Sequence, residues 1–245
     1  MIIIDFIINA FKIIIMLGLL VFIHEGGHFL VAKLCKVKVN EFALGFGPTI
    51  FAKQKGETKY ALHLIPLGGF VDMEGEAERS DAEGSFSKAS VWKRIAIVAA
   101  GAIVNIIFGL LIYFILITVK YNISTAFIAV SDFVMSVLNS LKQLVTGGMS
   151  PDQMVGIVGI SDIVASTNGF SQYISMVASI SVSLGVTNLL PIPPLDGSKI
   201  VIYLIEAIRK KPLKESTELK IQNWGLAIII ALFIFVTYND IVRIF

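Results

Sequence analysis

The sequence predicts an all-α polytopic membrane protein, and two observations carry that expectation. Of its 245 residues 56% are apolar and 16% charged, with a mean hydropathy of +0.82, a composition that soluble domains of this size seldom show. Apolar runs close to the roughly 20 residues that a bilayer core demands also recur along the chain. The expected architecture is four transmembrane helices, a membrane-associated β-hairpin between the first and second, and an interfacial amphipathic helix between the second and third. All of it forms a single domain over residues 1–245. A net charge of +2, and no basic segment interleaved with aromatics, argue against nucleic acid. The single cysteine, Cys35, excludes an internal disulfide and a cysteine-based zinc cluster, so a metal here would depend mainly on His, Asp or Glu.

The first span is expected at about residues 8–31; Lys12 in its middle and Asp5 near its start are unlike a cleavable signal, so it is read as retained. Residues 41–73 differ in kind. GFGP, QKGET and PLGG are turn signals flanking the short strand-like runs TIFAK and KYALHLI, which together predict a hairpin apolar enough to lean on the membrane. The acidic stretch EGEAERSDAEGS at 74–85 reads as a solvated linker. The second span follows at about 95–119. In residues 126–145, Phe127, Val130, Val134, Val137, Leu138, Leu141 and Leu144 recur at helical spacing, while Ser131, Ser136, Asn139, Ser140, Lys142 and Gln143 fill the other face, a pattern suited to the interface. The third and fourth spans are expected at about 172–192 and 224–239.

Basic residues orient these elements. Ten Lys and Arg lie between residues 32 and 94 and five between 209 and 220, whereas 120–171 holds only Lys120 and Lys142. The positive-inside rule puts the two basic segments in the cytoplasm and both termini outside. Had 126–145 crossed the bilayer, the basic segment RKKPLK would lie outside.

Within the first span stands HEGGH. On a helix His24 and His28 lie one above the other, able to offer two imidazoles to one Zn2+. Glu25 is adjacent, where a carboxylate can take a proton from a metal-bound water. Ionisable groups are costly inside a bilayer and usually functional there. Gly26 and Gly27, each unfavourable in a helix by about 1 kcal/mol, suit either the approach of another backbone or a packing notch.

A catalytic zinc site wants a third protein ligand. His63, in the hairpin, reads as a plain strand residue, so a carboxylate is the better candidate. Asp196 is best placed. It lies in NLLPIPPLDG, where Pro191, Pro193 and Pro194 must break the third helix and free backbone polar groups. The third span also runs in the same direction as the first, bringing Asp196 toward the cytoplasmic end that HEGGH approaches. Glu206, closer to the basic loop, and Asp5, near the opposite surface, fit less well.

HEGGH in a first span, a GFGP to PLGGF hairpin, AAGAIVN in a second span and NLLPIPPLDG in a third together resemble the site-2 protease family of intramembrane zinc metalloproteases (peptidase family M50), and more narrowly its bacterial regulator-of-sigma-E branch. The resemblance implies His24, His28 and Asp196 as zinc ligands and Glu25 as catalytic base. It also implies that Asn188, Pro191 and Pro193 in the proline stretch, and Gly101 and Asn105 in G-x-x-x-N, face the substrate, and that the hairpin binds substrate by strand addition. Three departures stand out. Gly101-Ala102 replaces the family's usual Gly-Pro, and Ser198-Lys199 a common Gly-His. Between residues 121 and 126 there is no room for the PDZ domain that relatives carry.

The expected function is that of a zinc metalloendopeptidase cutting peptide bonds within transmembrane segments of single-pass membrane proteins, such as an anti-sigma factor or signal-peptide remnants, in the bacterial cytoplasmic (inner) membrane. A metal transporter would usually string several acids or histidines along a path through the bilayer, and a non-catalytic metal-binding membrane protein would retain the fold without cleavage.

Overall fold

The computed structural model describes residues 2–148, 156–167 and 169–244. Long apolar stretches free of proline form helices α1 (Ile2–Leu34), α2 (Val91–Lys120) and α7 (Glu215–Ile244). Between α1 and α2 come strands β1 (Val39–Lys55) and β2 (Thr58–Met73) and a short 3-10 turn at Phe86–Lys88. Helices α3 (Ile123–Thr146), α4 (Ile157–Ser166), α5 (Phe170–Asn188) and α6 (Asp196–Arg209) precede α7.

Five of these, α1, α2, α3, α5 and α7, are long and apolar enough to cross a membrane by length and composition. Four of them overlap the expected spans. The fifth is α3, the segment expected in the interface; it starts two residues after α2 ends and is capped by Asn122, whose side chain accepts from Thr125 N at 2.8 Å. The third expected span overran its helix, because α5 stops at Asn188 and the proline segment is a series of turns before α6. α7 begins at Glu215, a full two turns before the apolar run. No helix was expected at α4. Its first N–H groups are satisfied from a distance, Gly156 N and Gly159 N donating to Asp240 Oδ2 at 2.9 Å, so its start has no local sequence signal.

The chain divides into two units. One comprises residues 14–106 and 184–223, the other 1–13, 107–183 and 224–245. In the second, α2 and α3 meet through Phe114–Phe127 and Tyr113–Phe133 ring pairs at 5.0 and 5.1 Å. Gly109 lies so close to α5 that a Cβ would approach Ala178 O to 2.5 Å.

The first unit holds the expected hairpin, folded more tightly than a plain ribbon. Residues 51–55 pair antiparallel with 58–62, and residues 42–44 pair antiparallel with 69–71. Glu41 to Leu44 also run alongside Lys59 to Leu62 in the same direction, so the first limb of β1 lies between the two limbs of β2. Buried Thr58 ties this arrangement by donating to Val39 O at 2.8 Å. The bend is made at Gly45 and Gly47, both at φ +87°, a conformation glycine adopts without steric cost; a Cβ on Gly45 would also meet Ile65 O at 2.6 Å. Phe42 packs on Phe22 and Phe29 of α1 at 5.7 and 5.2 Å between ring centres, which seats the sheet on that helix. Ala32, Val39, Val71, Phe86, Ile97 and Ile202 form the core beneath it, joining α1, both strands, α2 and α6. At the far end of the sheet Phe46, Ile50, Phe51, Leu64 and Ile65 are exposed.

Residues 74–85, expected as a solvated linker, are ordered by their own polar groups. Glu74 accepts from Ser80 Oγ at 2.7 Å, and Ser87 Oγ donates to Ser80 O at 2.9 Å.

Candidate active site

His24, Glu25 and His28 lie in the C-terminal half of α1, and Asp196 is the first residue of α6. The proline segment lets the chain stop α5, turn and restart, so that Asp196 comes to the histidines; Gly197 permits this because a Cβ there would strike Leu189 O at 2.2 Å. His24 Nε2 and His28 Nε2 are 3.2 Å apart, and Asp196 Oδ2 is 3.1 Å from the first and 3.3 Å from the second. Among the described residues this is the group of His, Cys, Asp and Glu able to hold a metal ion.

The triangle fits zinc. A tetrahedral ion with bonds of about 2.0–2.1 Å sets its ligand atoms roughly 3.3 Å apart, and the three separations agree. Asp196 Oδ2 is buried without a hydrogen bond of proper geometry, as an atom kept for a ligand would be. His28 Nδ1 is 2.8 Å from Ile97 O; donating there, it leaves Nε2 bare for a metal. His24 Nδ1 lies 3.4 Å from the amide of Asn105, and with the amide oxygen toward the ring the same tautomer results.

Close backbone approach makes the space. A Cβ on Gly101 of α2 would come within 2.4 Å of His28 Nε2 and 2.9 Å of His24 Nε2, crowding the ligand atoms of both histidines. Of the two glycines in HEGGH, only Gly27 is held by packing: its Cβ would meet Ala100 O at 2.6 Å, whereas Gly26 has nothing within 4 Å. The backbone-approach reading therefore holds for Gly27. Gly69 of β2 faces the other side, where a Cβ would lie 3.2 Å from Glu25 Cγ.

His24, Glu25, His28, Gly69, Phe70 and Asp196 line a cavity of about 180 Å3, together with Glu76 and Lys199. The last two were not singled out as site residues by sequence reasoning. Lys199 is one helical turn after Asp196, a spacing that could have flagged it; Glu76 was hidden in the acidic segment read as solvated. Asn105 is fully buried against His24. Pro191 is exposed, and Asn188 and Pro193 are half-buried at the helix break, outside the cavity lining. His63 stays in the sheet, 3.3 Å from Thr49 Oγ1. Glu206 is in an ion pair with Arg94 at 2.9 Å, further along α6, while the side chain of Asp5 is outside the described residues.

Apolar helices with this ligand triangle and an adjoining glutamate define a multi-pass membrane metalloprotease. Sequence comparison agrees: the chain belongs to peptidase family M50, whose model matches residues 12–232. A protein of Clostridium acetobutylicum described as a putative zinc metalloprotease is 27% identical over 330 aligned positions, covering 96% of this chain and 97% of that one. One from Agrobacterium fabrum with the same description is 27% identical, covering 93% and 94%. The regulator of sigma-W protease RasP of Bacillus subtilis is 25% identical over 421 positions, covering 98% and 100%. These alignments exceed the 245 residues here, so the relatives contain stretches without a counterpart in this chain. Zinc is the metal of these proteases.

Proposed function

We propose that the protein is a site-2-type zinc endopeptidase that hydrolyses peptide bonds inside transmembrane segments of single-pass membrane proteins. The observation that carries this is the 3.1–3.3 Å triangle of His24, His28 and Asp196, with Glu25 beside it on the same helix. When bound, zinc supplies Lewis acidity, lowering the pKa of a water and polarising a carbonyl. Glu25 takes the proton from the water as its oxygen attacks the scissile carbonyl carbon, then returns that proton to the departing amine. Asn105 acts through His24, holding its ring; Asn188, Pro191 and Pro193 form the break beside which an unwound substrate passes.

A helical substrate hides its carbonyls in hydrogen bonds and must unwind to be cut. The limb Gly69–Met73 offers replacement partners: among the recorded pairings it is bonded on one side, to the first limb of β1, and Gly69, Phe70, Val71 and Met73 line the cavity. An extended substrate added there passes directly over Glu25. Suitable substrates are anti-sigma factors already trimmed on the outer side, or signal-peptide remnants. Purified protein incubated with such a single-pass substrate is expected to cut within its apolar segment, to stop on metal removal by a zinc chelator and to resume when zinc is returned. Cleavage that persists in the chelator after bound zinc has been shown to be lost would refute the reading.

The proposed setting is the bacterial cytoplasmic membrane; the positive-inside argument favours both termini outside, the site near the cytoplasmic face and α3 in the interface. The exposed apolar end of the hairpin then rests in lipid. With Cys35 replaced by serine, a cysteine at Ser216 is expected to resist a membrane-impermeant thiol reagent in intact cells and to react after lysis. Reaction in intact cells would show that α3 spans.

A further inference from the structure

Lys199 is a charged group for which the hydrolytic scheme has no task. It projects from α6 one turn beyond Asp196, on the same face, and lines the cavity shared by His24, Glu25 and His28. Its ammonium donates to Glu76 Oε1 at 2.8 Å. An ammonium carries three donors, so this pair leaves others for the cavity. Desolvation lowers the pKa of Lys199, but the charge of Glu76 and its hydrogen bond, with Tyr203 and Asp196, outweigh this and hold it above the ordinary lysine range. The other inward-facing cation near α6, Arg94, is 2.9 Å from Glu206 and stacked 4.7 Å from the Tyr203 ring centre, and it does not line the cavity.

The geometry points to Lys199 as a further catalytic residue: held at the cavity wall by Glu76, its ammonium donates a hydrogen bond to the scissile carbonyl oxygen as that oxygen becomes negative. This rests on the hydrolytic reading above. Attack by the water oxygen forms a C–O bond while the carbonyl π pair moves onto its oxygen. Lys199 donates to that oxygen and keeps its proton; when the pair returns, the C–N bond breaks and the amine leaves with the proton that Glu25 carried. A donor fixed in advance stabilises such charge better than solvent does, because it needs no reorganisation. Glu76 is a positioning residue, anchoring the flexible lysine stem.

The test uses the zinc-loaded full chain carrying Lys199→Met, Lys199→Arg, or Glu76→Gln with Lys199→Met. It reads kcat and KM on a transmembrane substrate, zinc content, and affinity for a peptide bearing a tetrahedral phosphonamidate at the cut site. Lys199→Met is expected to lower kcat by about 10²–10³-fold with KM and zinc content little changed, and to weaken the phosphonamidate far more than the parent peptide. Lys199→Arg should recover part of the rate. The double variant removes both charges, so no unpaired carboxylate is left behind, and it is expected to stay as slow as Lys199→Met. A kcat within about threefold of wild type, recovery in the double variant, or loss of zinc from both would overturn the assignment and make the pair structural. Glu25→Gln in the same assay separates the two claims: if it is dead while Lys199→Met is active, only the role of Lys199 fails; if it too cleaves, the hydrolytic scheme fails.

Discussion

Glu25→Gln is expected to lower cleavage of a transmembrane substrate by about 10²–10⁴-fold, the usual contribution of a positioned general base, while bound zinc stays at the wild-type level. The amide matches the carboxylate in size, and none of the three ligand atoms belongs to residue 25. What it lacks is basicity: an amide oxygen cannot take the proton of the attacking water or hand one to the leaving amine. Folding should not suffer either, since an uncharged side chain is easier to keep within a membrane helix than a carboxylate. Zinc content by elemental analysis and cleavage on the same preparation check both halves. Near-wild-type cleavage by this variant would mean that another group activates the water.

Gly101→Ala should abolish zinc binding and cleavage together. By local rules alone the change is favourable, because alanine is a better helix residue than glycine by about 1 kcal/mol. The tertiary setting reverses the outcome. The new methyl would stand 2.4 Å from His28 Nε2 and 2.9 Å from His24 Nε2, and in a close-packed contact either the imidazoles turn away or α2 shifts. Both moves break the triangle. Gly26→Ala is the matched control, since a methyl there meets nothing within 4 Å, and it should retain zinc. Full zinc occupancy in Gly101→Ala would show that the ligand atoms converge elsewhere.

These variants mark the boundary of what was legible in the chain. The spacing His24 to His28 is a one-turn relation that any α-helix enforces, so the pair could be read directly. The apolar runs and the turn signals around Gly45, Gly56 and Gly68 also act locally, and they located the hairpin and four of the five helices long and apolar enough to cross a membrane. Glu76 escaped notice because a glutamate among Glu74, Glu78 and Asp81 has no local mark of pairing with Lys199, far along the chain. α4 escaped for the same reason, since the carboxylate that caps it comes from α7.

The sequence by itself determined that this is a multi-pass membrane protein and which residues have metal chemistry, because both follow from residue type and from spacings shorter than one or two helical turns. Only the tertiary structure decided that His24, His28 and Asp196 meet at 3.1–3.3 Å, that the first limb of β1 lies between the limbs of β2, and that Lys199 joins the cavity. Those features depend on how closely separate backbones approach at Gly27, Gly69, Gly101 and Gly197, and a close approach is a property of two surfaces that no single stretch of chain contains.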